Sequence, residues 1–132
     1  MLNLINNNIF LIFFIKCYKS AIIFLVMNEE TKNRIRKMTV LRDWSKFHTP
    51  ANLAKSISIE ANELLECFQW DEENYNIEEV KKELADVMIY CFDLLEKLDL
   101  DEDDIINSKM DENEKKYPVK LAKGNSKKYN KL

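Results

Sequence analysis

Hydrophobic positions in this chain recur mainly at three- and four-residue intervals, the rhythm of helices with one buried face. A first helix is expected from Glu29 to about Lys46, with Ile35, Met38, Val40 and Leu41 inward. It ends near Phe47-His48, where Thr49-Pro50 resets the chain: Thr49 suits an N-cap and Pro50 the first helical turn. A second helix follows to about Trp70, with Ile57, Ala61, Leu64 and Phe68 as its stripe. The polar stretch Asp71–Asn76 is short, so a third helix, about Ile77 to Leu98, returns antiparallel to the second. Val80, Leu84, Val87, Cys91, Leu94 and Leu98 form its stripe, and Met88, Ile89, Phe92 and Leu95 extend the apolar surface beyond one face. That is the pattern of a central helix or of one buried between subunits. Asp101 can cap a fourth helix holding Ile105, Ile106, Met110 and Asn113, which must end by Tyr117 because Pro118 follows. Residues 120–132 form a basic tail.

The segment 1–26 stands apart. From Ile9 to Val26 it is apolar except for Lys16, Lys19 and a few small or polar residues. It is barely long enough for a membrane span, and two lysines near its middle are costly there. It also lacks the basic start and small-residue cleavage site of a secretory signal. Met27 opens a polar, helix-forming run, as a native start would, and the residues before it are mostly types encoded by A/T-rich codons. Three readings stay open: an overextended start site, a weak anchor, or an extra packing helix. A membrane association is the less favoured expectation.

Composition narrows the class. One glycine and two prolines supply little turn chemistry for a many-stranded sheet, and 33% charged with 46% hydrophobic residues suits a helical globular domain. The 132 residues are enough for one domain. A net charge of −3 argues against general nucleic-acid binding. Cys17, Cys67 and Cys91 are odd in number and lie in apolar surroundings, pointing to buried thiols in a reducing cytoplasm rather than to disulfides.

The candidate chemistry lies in two acidic pairs. Glu60 and Glu63 stand three residues apart on the second helix, Glu83 and Asp86 likewise on the third. Such pairs project from one side of a helix, and antiparallel packing can bring the two flanks together. A single pair is most often a solvated face; two pairs beside the apolar stripes of neighbouring helices are less so. Four carboxylates brought together repel one another unless a cation intervenes. An all-oxygen donor set suits Mg²⁺ or Mn²⁺ better than zinc or copper. A di-iron bundle wants Glu-x-x-His on two helices, and the sole histidine, His48, lies outside such a motif. Lys97 and Lys109 are candidate phosphate partners. Trp44, Trp70 and Tyr90 offer flat surfaces to a base, although tryptophans at helix ends are more often core caps.

Several stretches resemble a known family. Arg42–Leu53 (RDWSKFHTPANL) resembles the RDWxxFHxPxNL opening of the MazG-like all-α nucleoside triphosphate pyrophosphohydrolases, closest to the dCTP pyrophosphatase branch. Glu60–Trp70 is similar to its ExxELxExFQW segment, Glu83–Tyr90 to ELxDVxIY, and Lys109–Val119 to KMxxNxxxYPV. Gly124–Tyr129 resembles the closing GSxxKY, but here Asn125 intervenes before Ser126. The likeness runs from about Met27 to Tyr129. It implies a four-helix bundle over 27–119, dimeric or tetrameric, behind the apolar N-terminal extension. The implied reaction is Mg²⁺-dependent cleavage of a nucleoside triphosphate between the α and β phosphates. The resemblance makes Glu60, Glu63, Glu83 and Asp86 metal ligands, with Glu63 also activating water as the catalytic residue. It gives Lys109, Asn113 and, less firmly, Lys97 to the phosphates, and Trp44, His48, Trp70 and Tyr90 to the nucleoside pocket. The competing reading is a non-catalytic helical module that dimerises through the third helix.

Overall fold

In a computed structural model, which describes residues 27–131, the chain is helical, with no strand among the described residues. The expected extension 1–26 lies outside them. The main helices are α1 (Glu29–Leu41), α2 (Pro50–Glu66), α3 (Ile77–Leu98) and α4 (Glu102–Lys116), followed by one short turn of helix, α5 (Val119–Ala122). The described residues divide into two units, one ending at Met38 and the other beginning at Thr39. No helix among the described residues is long and apolar enough to cross a membrane.

In the first unit, α1 starts where the Asn28 side chain accepts a hydrogen bond from the Thr31 N–H at 2.8 Å, with Glu29 and Glu30 in the favourable first turn. Ile35 is buried, as its pattern requires. The helix is shorter than the expected run to Lys46. Asp43 takes a left-handed conformation (φ 55°), which an α-helix does not continue through, and Trp44–Lys46 form a separate 3₁₀ turn. Val40 and Leu41 therefore fall in the last turn, and both they and Met38 are exposed rather than inward.

The second unit is built on the antiparallel α2–α3 pair, the most extensive helix contact among the described residues. Thr49 caps α2, accepting from the Asn52 N–H at 3.2 Å, with Pro50 at the first position. The helix stops at Glu66, four residues before Trp70, as Phe68 and Gln69 turn tighter by donating to Leu65 and Glu66 carbonyls. Asp71 then gathers the connection, accepting from the Glu73 and Asn74 N–H groups, and Asn76 caps α3. Asp101 caps α4 through the Asp104 N–H at 3.0 Å, as its position in the sequence suggests.

Burial is uneven. Leu53 on α2 (1% exposed) and Phe92 on α3 (4%) are the buried hydrophobics of this unit. Antiparallel pairing puts both at the end of the pair where α2 begins and α3 finishes. Leu84, Met88, Ile105, Ile106 and Met110 stay exposed on the single chain.

Candidate functional site

Successive residues of a helix are turned by about 100°. Glu83, Asp86, Tyr90, Asp93 and Lys97, at alternating spacings of three and four, therefore form one stripe along α3. On α2 the corresponding stripe carries Leu53, Ile57, Glu60 and Leu64, with Cys67 following at its C-cap. A polar seam on one helix thus runs beside a mainly apolar one, with Glu60 as the exception on α2.

At the middle of the pair, one carboxylate oxygen each from Glu60, Glu83 and Asp86 lies within 4.8 Å of the other two. Glu60 and Glu83 are half-buried and Asp86 is exposed. Desolvation raises the Glu60 pKa above the usual carboxylate range, and the charges of Glu63, Asp86 and Glu83 push it the same way. No lysine or arginine is among the causes acting on it. Three negative groups facing one another without a counter-charge among the described residues are a fit for a hard divalent cation. About Mg²⁺, ligand oxygens at ~2.1 Å would be ~3.0 Å apart when adjacent and ~4.2 Å when opposite. Oxygens that all lie within 4.8 Å of one another can be drawn round one cation by side-chain rotation.

Glu63, the fourth expected ligand, lies beside this cluster rather than in it. It lines an open hollow of about 430 Å³ with Glu66, Cys67, Glu79 and Glu83. Glu83 is thus shared between the cluster and the hollow. The Cys67 thiol donates to the Glu63 carbonyl at 3.6 Å, and burial together with the Glu83 and Glu79 charges raises its pKa, keeping it protonated.

Toward the buried end of the pair, about 6 Å along α3 from Asp86, lies an aromatic cluster. The His48 ring centroid is 6.4 Å from both the Trp44 and the Tyr90 centroids. Its loop is tied down locally: the Phe47 and His48 N–H groups donate to the Trp44 carbonyl, and the Asn52 amide donates to the Phe47 carbonyl at 3.0 Å. Arg42 lies over the Trp44 ring at 5.6 Å. His48 Nδ1 is 3.4 Å from the Asp93 carboxylate, both side chains being mostly buried (19% and 12% exposed). Asp93 was not singled out by sequence reasoning. Its signal was present, since it fills the gap between Tyr90 and Lys97 in the polar stripe of α3 and is flanked by Cys91, Phe92, Leu94 and Leu95.

The remaining expected residues lie elsewhere. Trp70 is 89% exposed beyond the end of α2. Lys97 is exposed near the end of α3, about 16 Å along the helix from Asp86. Lys109 pairs with Glu112 at 2.7 Å on the surface of α4, which raises the lysine pKa. Asn113 is half-buried, and its carbonyl accepts the Tyr117 N–H at the helix end.

Comparison with known proteins gives this arrangement a context. The dCTP pyrophosphatase 1 of Mus musculus is 36% identical over 100 residues, covering 69% of this chain and 59% of that protein. The Bos taurus dCTP pyrophosphatase 1 is 35% identical over 122 residues, covering 83% and 72%. A crystal structure of a pyrophosphatase from Archaeoglobus fulgidus aligns with a TM-score of 0.60 at 41% identity, over 68% of this chain and 91% of that one. The profile of the MazG-like family matches residues 55–132, a segment that includes all three clustered carboxylates, Tyr90 and Asp93. This chain belongs to the MazG-like family.

Proposed function

We propose that the protein is a divalent-cation-dependent nucleoside triphosphate pyrophosphohydrolase that cleaves between the α and β phosphates, with a dCTP-type substrate. The observation carrying this reading is the convergence of Glu60, Glu83 and Asp86 from two helices, one helical turn from the Trp44–His48–Tyr90 cluster. That spacing suits a ligand with a polyanionic end and a flat ring. The named relatives, two dCTP pyrophosphatases and one pyrophosphatase, support the same chemistry.

Glu60, Glu83 and Asp86 are the residues to hold the cation, Mg²⁺ or Mn²⁺. When bound, it neutralises phosphate oxygens and acidifies water. Glu63, at the rim of the adjoining hollow, is assigned to orient and deprotonate the attacking water. The water oxygen bonds to the α phosphorus, the bridging bond to the β phosphate breaks, and pyrophosphate departs, leaving the monophosphate. Most of the catalytic contribution in such a transfer is positioning and electrostatics. Trp44, His48 and Tyr90 take the nucleoside.

Lys109, Asn113, Trp70 and Lys97 do not meet the carboxylates within the helix pair, and we assign their contribution to a homodimeric or homotetrameric assembly. Leu84 and Met88 on α3 with Ile105, Ile106 and Met110 on α4 supply exposed apolar surface for it.

A panel of ribo- and deoxynucleoside triphosphates, incubated with Mg²⁺, Mn²⁺ or chelator, tests the reading. The expected products are monophosphate and pyrophosphate, formed only with cation. Absence of turnover on every nucleotide, from protein that still self-associates, would favour the non-catalytic helical module instead.

A further inference from the structure

The hydrolase reading gives Asp93 no task, yet Asp93 is a mostly buried carboxylate set in an apolar run, facing the one histidine of the chain. Desolvation raises its pKa, and the neighbouring Glu96 charge adds to this; His48 opposes the rise without cancelling it. Burying a charge that its partner does not fully compensate does little for stability. The position therefore calls for a reason other than holding the fold together.

We propose that Asp93 is a positioning residue: it locks His48 in the Nδ1–H tautomer, so that Nε2 accepts a hydrogen bond from the exocyclic amino group of the nucleobase. This rests on the hydrolase reading for the identity of the ligand. The chemistry follows from the donor inventory. An ionised carboxylate only accepts, so the ring nitrogen facing it carries the proton. The other nitrogen of a neutral imidazole is then an acceptor. It lies on the ring edge away from Asp93, and the ring has Trp44 and Tyr90 as neighbours, each with its centroid 6.4 Å away. Cytosine offers an amino group where uracil and thymine offer a carbonyl. An acceptor fixed at that place favours the former and repels the latter, and a site left with an unpaired buried group discriminates strongly.

His48 being the only histidine, its tautomer can be read without assignment ambiguity in full-length, tag-free, ¹⁵N-labelled protein. A long-range ¹H–¹⁵N correlation at about pH 8, above the ordinary imidazole range, should show a protonated Nδ1 and an unprotonated Nε2. Asp93→Leu should release the ring to the Nε2–H form. The dCTP over dUTP preference in kcat/KM should then fall about tenfold, the worth of one hydrogen bond, mainly through KM. Asp93→Asn, whose carbonyl can still accept from Nδ1–H, should keep most of both properties. A native ring already in the Nε2–H form, or an Asp93→Leu enzyme with unchanged base preference, would overturn the proposal. If no nucleotide were hydrolysed while the Nδ1–H form persisted, the hydrolase reading and the base-reading step would fall together, and the tautomer lock alone would stand.

Discussion

One end of the α2–α3 pair and its middle solve opposite problems with the same helical geometry. At the aromatic end, Leu53 and Phe92 are buried, the loop carrying His48 is tied by several backbone hydrogen bonds, and the carboxylate present has a histidine beside it. In the middle, Glu60, Glu83 and Asp86 face one another with mutual repulsion. The aromatic end is complete in the chain alone; on the proposed reading, a cation completes the middle. Under the proposed function, a nucleotide docks its ring at a preformed end and its phosphates at the middle, which the cation finishes.

The largest effects should separate the acids. Glu83→Gln removes the residue shared between the cluster and the hollow. It is expected to lower kcat/KM by roughly 10²–10³-fold, the scale for losing one electrostatic contact to a transition state. Glu63→Gln should lower kcat to a similar extent while leaving the cation requirement unchanged, because Glu63 lies beside the cluster. Titrating Mg²⁺ against activity in both variants checks this. A right-shifted Mg²⁺ dependence in Glu63→Gln would make it a ligand after all.

A smaller effect should be visible in stability. A saturating divalent ion at about 100 times its Kd stabilises the fold by about 2.7 kcal/mol, and Glu83→Gln should forfeit most of that. Without cation, the folded chain binds a proton at Glu60 more tightly than the unfolded chain does, since the pKa of Glu60 is raised from its ordinary 4.5. Its contribution to stability is fully present below about pH 4.5 and is lost as the pH rises through the raised value. Thermal melts of the parent and of Glu60→Gln over that range isolate the effect. The parent should lose more stability with rising pH, and Mg²⁺ should remove the difference. Parallel curves in chelator would mean that the acids do not oppose one another.

Much of this was legible in the sequence because helices are local. The caps Thr49 and Asp101 follow from side chains that satisfy orphan N–H groups. The acidic pairs follow from helical period. Two kinds of feature escaped. The early end of α1 depends on Asp43 adopting a left-handed conformation, which a propensity argument does not foresee for an aspartate inside an otherwise helical run. Asp93 escaped because its partner His48 is remote in sequence, and a period places a side chain on its own helix without saying what faces it. Glu63, three residues from Glu60 and so turned by about 300° from it, lines the hollow beside the cluster, and the Mg²⁺ titration decides whether it is also a ligand.

The smallest expected effect tests whether the two regions are independent. Thr49 holds the start of α2 through the Asn52 N–H, while Asn52 separately holds the Phe47 carbonyl. Thr49→Ala should therefore cost about 1 kcal/mol of stability, the usual worth of an N-cap, measured by denaturant unfolding. The Asn52–Phe47 tie and the His48–Trp44 backbone bond survive that change, so KM for the nucleotide should move less than the stability does. The Mg²⁺-induced stabilisation should not move at all, because the cap lies three helical turns from Glu60. A Thr49→Ala protein that lost its response to Mg²⁺ would show that the preformed end dictates the spacing of the carboxylates, and that the two regions work as one unit.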